Sequence, residues 1–150
     1  MARVLTQERI NEIVKRHRPR GWRVAQSEHR WKWNSAASCN IKRILYVPTL
    51  KPDHRTDESL FLYFHEVGHV VKKHFERKLP HHQEEFEAEL FAVHIFKVEG
   101  IPLTKYIRAT IRERLCSWIG SDIKKGIPVE RHIARWANHK VKSSGRKRRR

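Results

Sequence analysis

Residues 60–71 read LFLYFHEVGHVV, and this run makes two demands that few folds meet together. Leu60, Phe64, Val67, Val71 and Phe75 recur at helical spacing, which predicts a helix from about Glu58 to about Phe75 with one buried face. His65 and His69 lie beside that stripe on successive turns of the same helix. Imidazoles next to a buried face are costly unless something satisfies them. Gly68, in mid-helix, costs about 1 kcal/mol relative to alanine, so another element is expected to approach closely there.

Two histidines four apart can reach one zinc ion at Zn–N distances of about 2.0–2.1 Å. Glu66 points roughly 100° away round the helix from His65. It is poorly placed as a ligand and well placed to take a proton from a water at the metal's open position. The spacing HExxH therefore has a mechanical reason. With 11 His and 13 Glu in 150 residues, chance alone supplies about 0.07 such patterns.

Zinc needs a third protein ligand. Positions 72 and 75 are Lys and Phe, which excludes the extended pattern HExxHxxGxxH. Nearby candidates are His74, His81, His82, Glu84, Glu85, Glu87, Glu89 and His94. EEFEAELFAVHIFKV predicts a second, well-buried helix. On it Glu87 shares a face with Phe91 and His94, where an ionised carboxylate demands a partner such as zinc. Glu85 and Glu89 share a side with Phe96 and are expected at the helix's wet edge. An acidic first turn also suits the helix dipole. An oxyanion-stabilising donor is expected too, with Tyr63, His81, His82, His94 and Tyr106 as candidates.

The remaining chain frames this pair of helices. LTQERINEIVKRHR predicts a first helix capped by Thr6 and stopped at Pro19 and Gly21. WRVAQSEHRWKWN and IKRILYVP read as two or three short antiparallel strands, ended by Pro48. LTKYIRATIRERLCSWI predicts a helix with Leu103, Ile107, Ile111, Leu115 and Trp118 on one face, followed by the loop GSDIKKGIP. Pro128 then opens a short helix with Val129, Ile133, Trp136 and Ala137 inward. The expected architecture is α+β: an N-terminal helix, a small antiparallel sheet of about three strands, the HExxH helix packed on a glutamate-bearing helix, and two C-terminal helices. It forms one domain over residues 1–139, with a basic tail over 140–150.

HEVGH followed after a short linker by EFEAELFA (residues 85–92) resembles the ImmA/IrrE-type metallopeptidases. These are small gluzincin-like enzymes with HExxH on one helix and E-x-E-A-x-x-F-A on the next. Glu85, Glu87, Ala88, Phe91 and Ala92 match the second segment, and the resemblance spans roughly residues 5–98. It implies zinc held by His65, His69 and Glu87, with Glu66 as general base. It also implies proteolysis of a regulatory protein, commonly a DNA-bound repressor. The chain departs from the family in its linker of about 15 residues and in Glu89, where Asn or Asp is frequent. An SprT-like metalloprotease is the nearest alternative, with His82 or His94 as third ligand and DNA-attached protein as substrate.

Charge points to a polyanion. The net charge is +17, and residues 51–100 hold 10 of the 16 acidic groups, so the flanks are strongly basic. From Lys140 the chain carries seven basic residues, no acid and almost no apolar side chain. Arg146, Lys147, Arg148, Arg149 and Arg150 should bind phosphate in a salt-dependent way. Trp22, Trp31 and Trp33 interleave with Arg20, Arg23, Arg30 and Lys32, but tryptophans on short strands of a small domain belong more often to the core. A basic nucleic-acid-binding zinc protein without turnover is thus an alternative to the enzyme. Two cysteines in no CxxC pair, no secretory h-region and no long apolar run predict a cytoplasmic, membrane-free protein.

Overall fold

The computed structural model describes residues 5–26, 37–39, 43–47 and 56–139. Within them the fold is mixed α+β and mostly helical. Its elements are α1 (Gln7–His17), β1 (Arg23–Gln26), β2 (Ala37–Cys39), β3 (Ile44–Val47), α2 (Thr56–Val71), α3 (His81–Val98), α4 (Lys105–Lys124) and α5 (Arg131–Trp136).

α1 starts where Thr6 Oγ1 accepts the Arg9 amide at 3.2 Å. It stops at Arg18, whose backbone is extended, as the residue before a proline prefers. Ile10 and Ile13 enter the core. Its polar side is tied to the C-terminal cap of α3: Glu99 accepts from Arg9 at 2.8 Å and from Arg16 at 2.7 Å, and its Oε1 lies 2.6 Å from His17 Nε2.

The sheet differs from the antiparallel expectation. β3 is central, with β2 antiparallel on one side and β1 parallel on the other. Alternation in a sequence fixes which residues share a face, but it does not encode strand direction.

α2 is the central helix, with Leu60, Tyr63, Phe64 and Val67 fully buried. It ends at Val71, one turn before the expected Phe75. Lys73 adopts the left-handed region with φ of 55°, which turns the chain and takes Val71 and Phe75 off the buried stripe. Phe75 stacks on Trp22 instead, with ring centroids 6.2 Å apart. The same turn folds His74 back under α2, where its amide donates to the His69 carbonyl at 3.1 Å.

α3 crosses α2 at Gly68. A Cβ placed there would lie 3.0 Å from the Ala88 backbone and 3.1 Å from the Phe91 Cβ, so the close approach expected from the sequence is present. α4 runs past Gly120 to Lys124, where a loop was expected, because Ile119 and Asp122 are both buried. Asp122 Oδ2 accepts the His82 amide at 3.0 Å and lies 2.8 Å from its Nδ1, which pins α4 to the first turn of α3. Glu130, at the N-cap of α5, holds the other His82 nitrogen at 2.7 Å. Ile133 and Ala137 are buried as expected. No helix among the described residues is long and apolar enough to cross a membrane.

Candidate metal centre

α2 and α3 bring three electron-pair donors to one point. His65 Nε2 and His69 Nε2 are 3.1 Å apart. The Glu85 carboxylate lies 3.1 Å from the first and 3.5 Å from the second. Tetrahedral ligands about 2.05 Å from a zinc ion are about 3.3 Å from one another, so the triangle fits the metal. The group His65, His69, Glu85 is the cluster of metal-ligating side chains that the fold assembles among the described residues.

Electrostatics within the cluster follow from burial and proximity. Burial alone would strip His65 of its proton, but Glu85 and Glu89 outweigh that and raise its pKa to about 9. Burial, and then the charge on His65, drive His69 the other way, to about 4. Glu85 is held below the usual carboxylate range despite its burial, chiefly by His65. One proton thus sits among groups that would otherwise present lone pairs to one another. A metal cation can take that role.

A buried carboxylate lies behind His65. His65 Nδ1 faces Glu89 Oε1 at 3.5 Å, long for a hydrogen bond, and Glu89 in turn accepts from Arg114 at 2.5 Å. Glu89 is 1% exposed, so the expectation that Glu85 and Glu89 occupy a wet edge is corrected: their side of α3 is the one turned to α2. Glu87, implied as the third ligand by the resemblance, lies elsewhere. It binds Arg77 at 2.7 Å and His74 Nε2 at 3.0 Å, and both interactions outweigh partial burial to hold its carboxyl below the usual range. The placement has a simple geometric cause. Residues two apart on a helix point about 200° apart, so Glu85 and Glu87 cannot both face α2.

The sequence did carry a signal for Glu85. Ala88, Glu89, Ala92 and Phe96 follow it at i+3, i+4, i+7 and i+11, and all four are buried. Ala88 marks the point where the α2 backbone comes close, opposite Gly68.

The remaining candidates are dispersed. His82 is locked between Asp122 and Glu130, and His94 is exposed, so neither reaches the centre. His81 is exposed beside Trp118, and His81 Nδ1 lies 3.7 Å from Glu84. Tyr106 is 62% exposed on α4. The Tyr63 hydroxyl is buried without a hydrogen-bond partner, and burial pushes its pKa to about 12. Glu66, next to His65, is half-buried on α2. Trp22 packs against the main core cluster. Trp31, Trp33 and the basic residues 146–150 lie outside the described residues.

No known protein family, curated protein or solved structure matches the chain.

Proposed function

We propose that this protein is a zinc-dependent endopeptidase in which His65, His69 and Glu85 hold the metal and Glu66 is the general base. The observation that carries the reading is the convergence of His65 Nε2, His69 Nε2 and the Glu85 carboxylate within 3.1–3.5 Å of one another. Bound there, zinc would supply Lewis acidity, lowering the pKa of a water toward about 7 and polarising a carbonyl oxygen. Glu66 takes the proton of the attacking water and passes it to the departing amine. The two helices hold both histidines and Glu85 rigidly, so little reorganisation is needed when metal and substrate arrive.

The substrate is a protein associated with nucleic acid. The net charge of +17 and the seven basic residues from Lys140 onward support that part of the reading. A histidine as third ligand, the SprT-like alternative, has less support, because His82 is already held on both ring nitrogens.

Metal analysis beside a cleavage assay tests the proposal, with casein as a disordered probe. Wild type and Glu66→Gln should each carry one zinc per chain, with cleavage by wild type alone, and Glu85→Ala should carry none. Zinc-free wild type, or Glu66→Gln cleaving at the wild-type rate, overturns it.

A further inference from the structure

His74 belongs to no HExxH pattern, yet it is buried and in direct contact with the second histidine of the metal centre. Its Nδ1 lies 2.8 Å from His69 Nδ1, and the two rings meet edge to face with centroids 4.9 Å apart. Its other nitrogen, Nε2, lies 3.0 Å from Glu87 Oε2. Arg77 grips the same carboxylate with Nη1 at 2.7 Å and Nη2 at 3.2 Å. These four side chains make one continuous chain from the centre toward the surface.

Hydrogen-bond accounting gives that chain a direction. An ionised carboxylate only accepts, and Arg77 keeps Glu87 ionised. The hydrogen between Glu87 and His74 therefore belongs to His74 Nε2. The 2.8 Å between the two Nδ1 atoms holds one hydrogen, and with His74 donating from Nε2, the tautomer that completes the chain has His69 donating from Nδ1 and His74 Nδ1 accepting. His69 is left with its lone pair on Nε2, the nitrogen that faces His65 and Glu85.

We propose that His74 is a positioning residue that fixes the tautomer and ring orientation of His69 for metal binding, through the relay His69–His74–Glu87–Arg77. The proposal rests on the metal-centre reading and adds to it. It also gives Glu87 a role: Glu87 anchors the relay two residues away from the zinc-binding one. The position of His74 depends on the left-handed turn at Lys73, which folds the chain back beneath α2. Partners of this kind orient ligating histidines and raise their basicity, and their loss typically weakens metal binding by about 10–100-fold.

The test uses two readouts on the full chain. Long-range nitrogen–proton correlation spectra of the metal-free protein at neutral pH report the His69 tautomer. Competition with a chromophoric chelator reports zinc affinity. Wild type should show His69 protonated on Nδ1. His74→Phe, similar in volume but without an acceptor, should shift His69 toward the Nε2–H form and weaken zinc binding about 10–100-fold. His74→Gln, whose amide can accept from His69 and donate to Glu87, should recover most of both. Glu87→Ala, at a half-exposed site, should give a smaller loss with the fold intact, and it covers the case in which His74→Phe does not fold. An unchanged tautomer and affinity in His74→Phe, or in Glu87→Ala where His74→Phe does not fold, overturns the proposal, as does a His74→Gln variant no better than His74→Phe. Wild type that takes up no zinc overturns the metal reading instead, and the tautomer spectra still decide whether His74 sets the proton on His69.

Discussion

Gly68 and Ala88 meet where α2 crosses α3, so tightly that a methyl on Gly68 would stand 3.0 Å from both the Ala88 Cα and its carbonyl oxygen. The crossing sits one residue from His69 and three from Glu85. It therefore sets how closely the carboxylate can approach the two imidazoles.

Gly68→Ala is expected to destabilise the protein even though alanine favours a helix by about 1 kcal/mol. The new methyl meets backbone, which cannot rotate away, and overpacking of this kind costs about 1–3 kcal/mol. A urea titration should show a lower midpoint. Chelator competition should show weaker zinc binding, because the helices must separate where Glu85 reaches across. Unchanged stability and affinity would mean that the crossing is not the limiting contact.

Glu66→Gln should separate binding from chemistry. The amide keeps the shape and cannot take a proton from water, and loss of a general base costs about 10²–10⁴-fold in rate. Zinc content should stay at one per chain while cleavage of casein disappears. Binding to a DNA duplex should be unaffected. A protein that binds DNA and zinc but never cleaves, with or without Glu66, would be a binding module.

Zinc uptake should release about one proton near pH 7.5. His65 holds that proton up to about pH 9, whereas His69, near 4, is already neutral. Isothermal titration in buffers of different ionisation enthalpy gives the proton count directly. The metal-free protein has a matching pH dependence. The pKa of His65 is raised in the folded state, so its contribution is complete below about 6.5 and is lost as pH rises through about 9. Thermal midpoints of the apo protein should fall across that window, and the fall should be absent in the zinc form.

Asp122→Ala should be among the most damaging single changes away from the candidate metal centre. It would leave the buried His82 with an unpartnered ring nitrogen and amide, and each buried polar group left unsatisfied costs about 1–3 kcal/mol. A drop in the urea midpoint measures it. A loss below about 1 kcal/mol would show that the link between α3 and α4 is redundant.

Removing residues 140–150 should weaken DNA binding and flatten its salt dependence. Seven cations each neutralising one phosphate would contribute about 6 to the slope of log K against log salt. Binding measured at several salt concentrations tests this, and an unchanged slope places the contacts elsewhere on the chain.

Local pattern made much of the architecture readable. The α1 cap at Thr6, the buried run Leu60–Phe64–Val67 and the close approach at Gly68 depend on interactions within one turn or on a penalty that a single residue carries. The pairing of His65 with His69 is equally local, because both sit on one helix and their spacing fixes their separation. These features were determined by the sequence itself.

The third donor was decided by tertiary structure. Glu85 and Glu87 lie on one helix, in one acidic turn, and composition does not distinguish them. Which carboxylate reaches the histidines depends on the rotation of α3 about its axis, set by Ala88 packing against Gly68 of α2 and by Asp122 anchoring the first turn. The reach of α4 to Lys124 and the parallel pairing of β1 with β3 are of the same kind. Each is a relation between segments far apart in the chain, and such a relation is fixed only when the segments share one core.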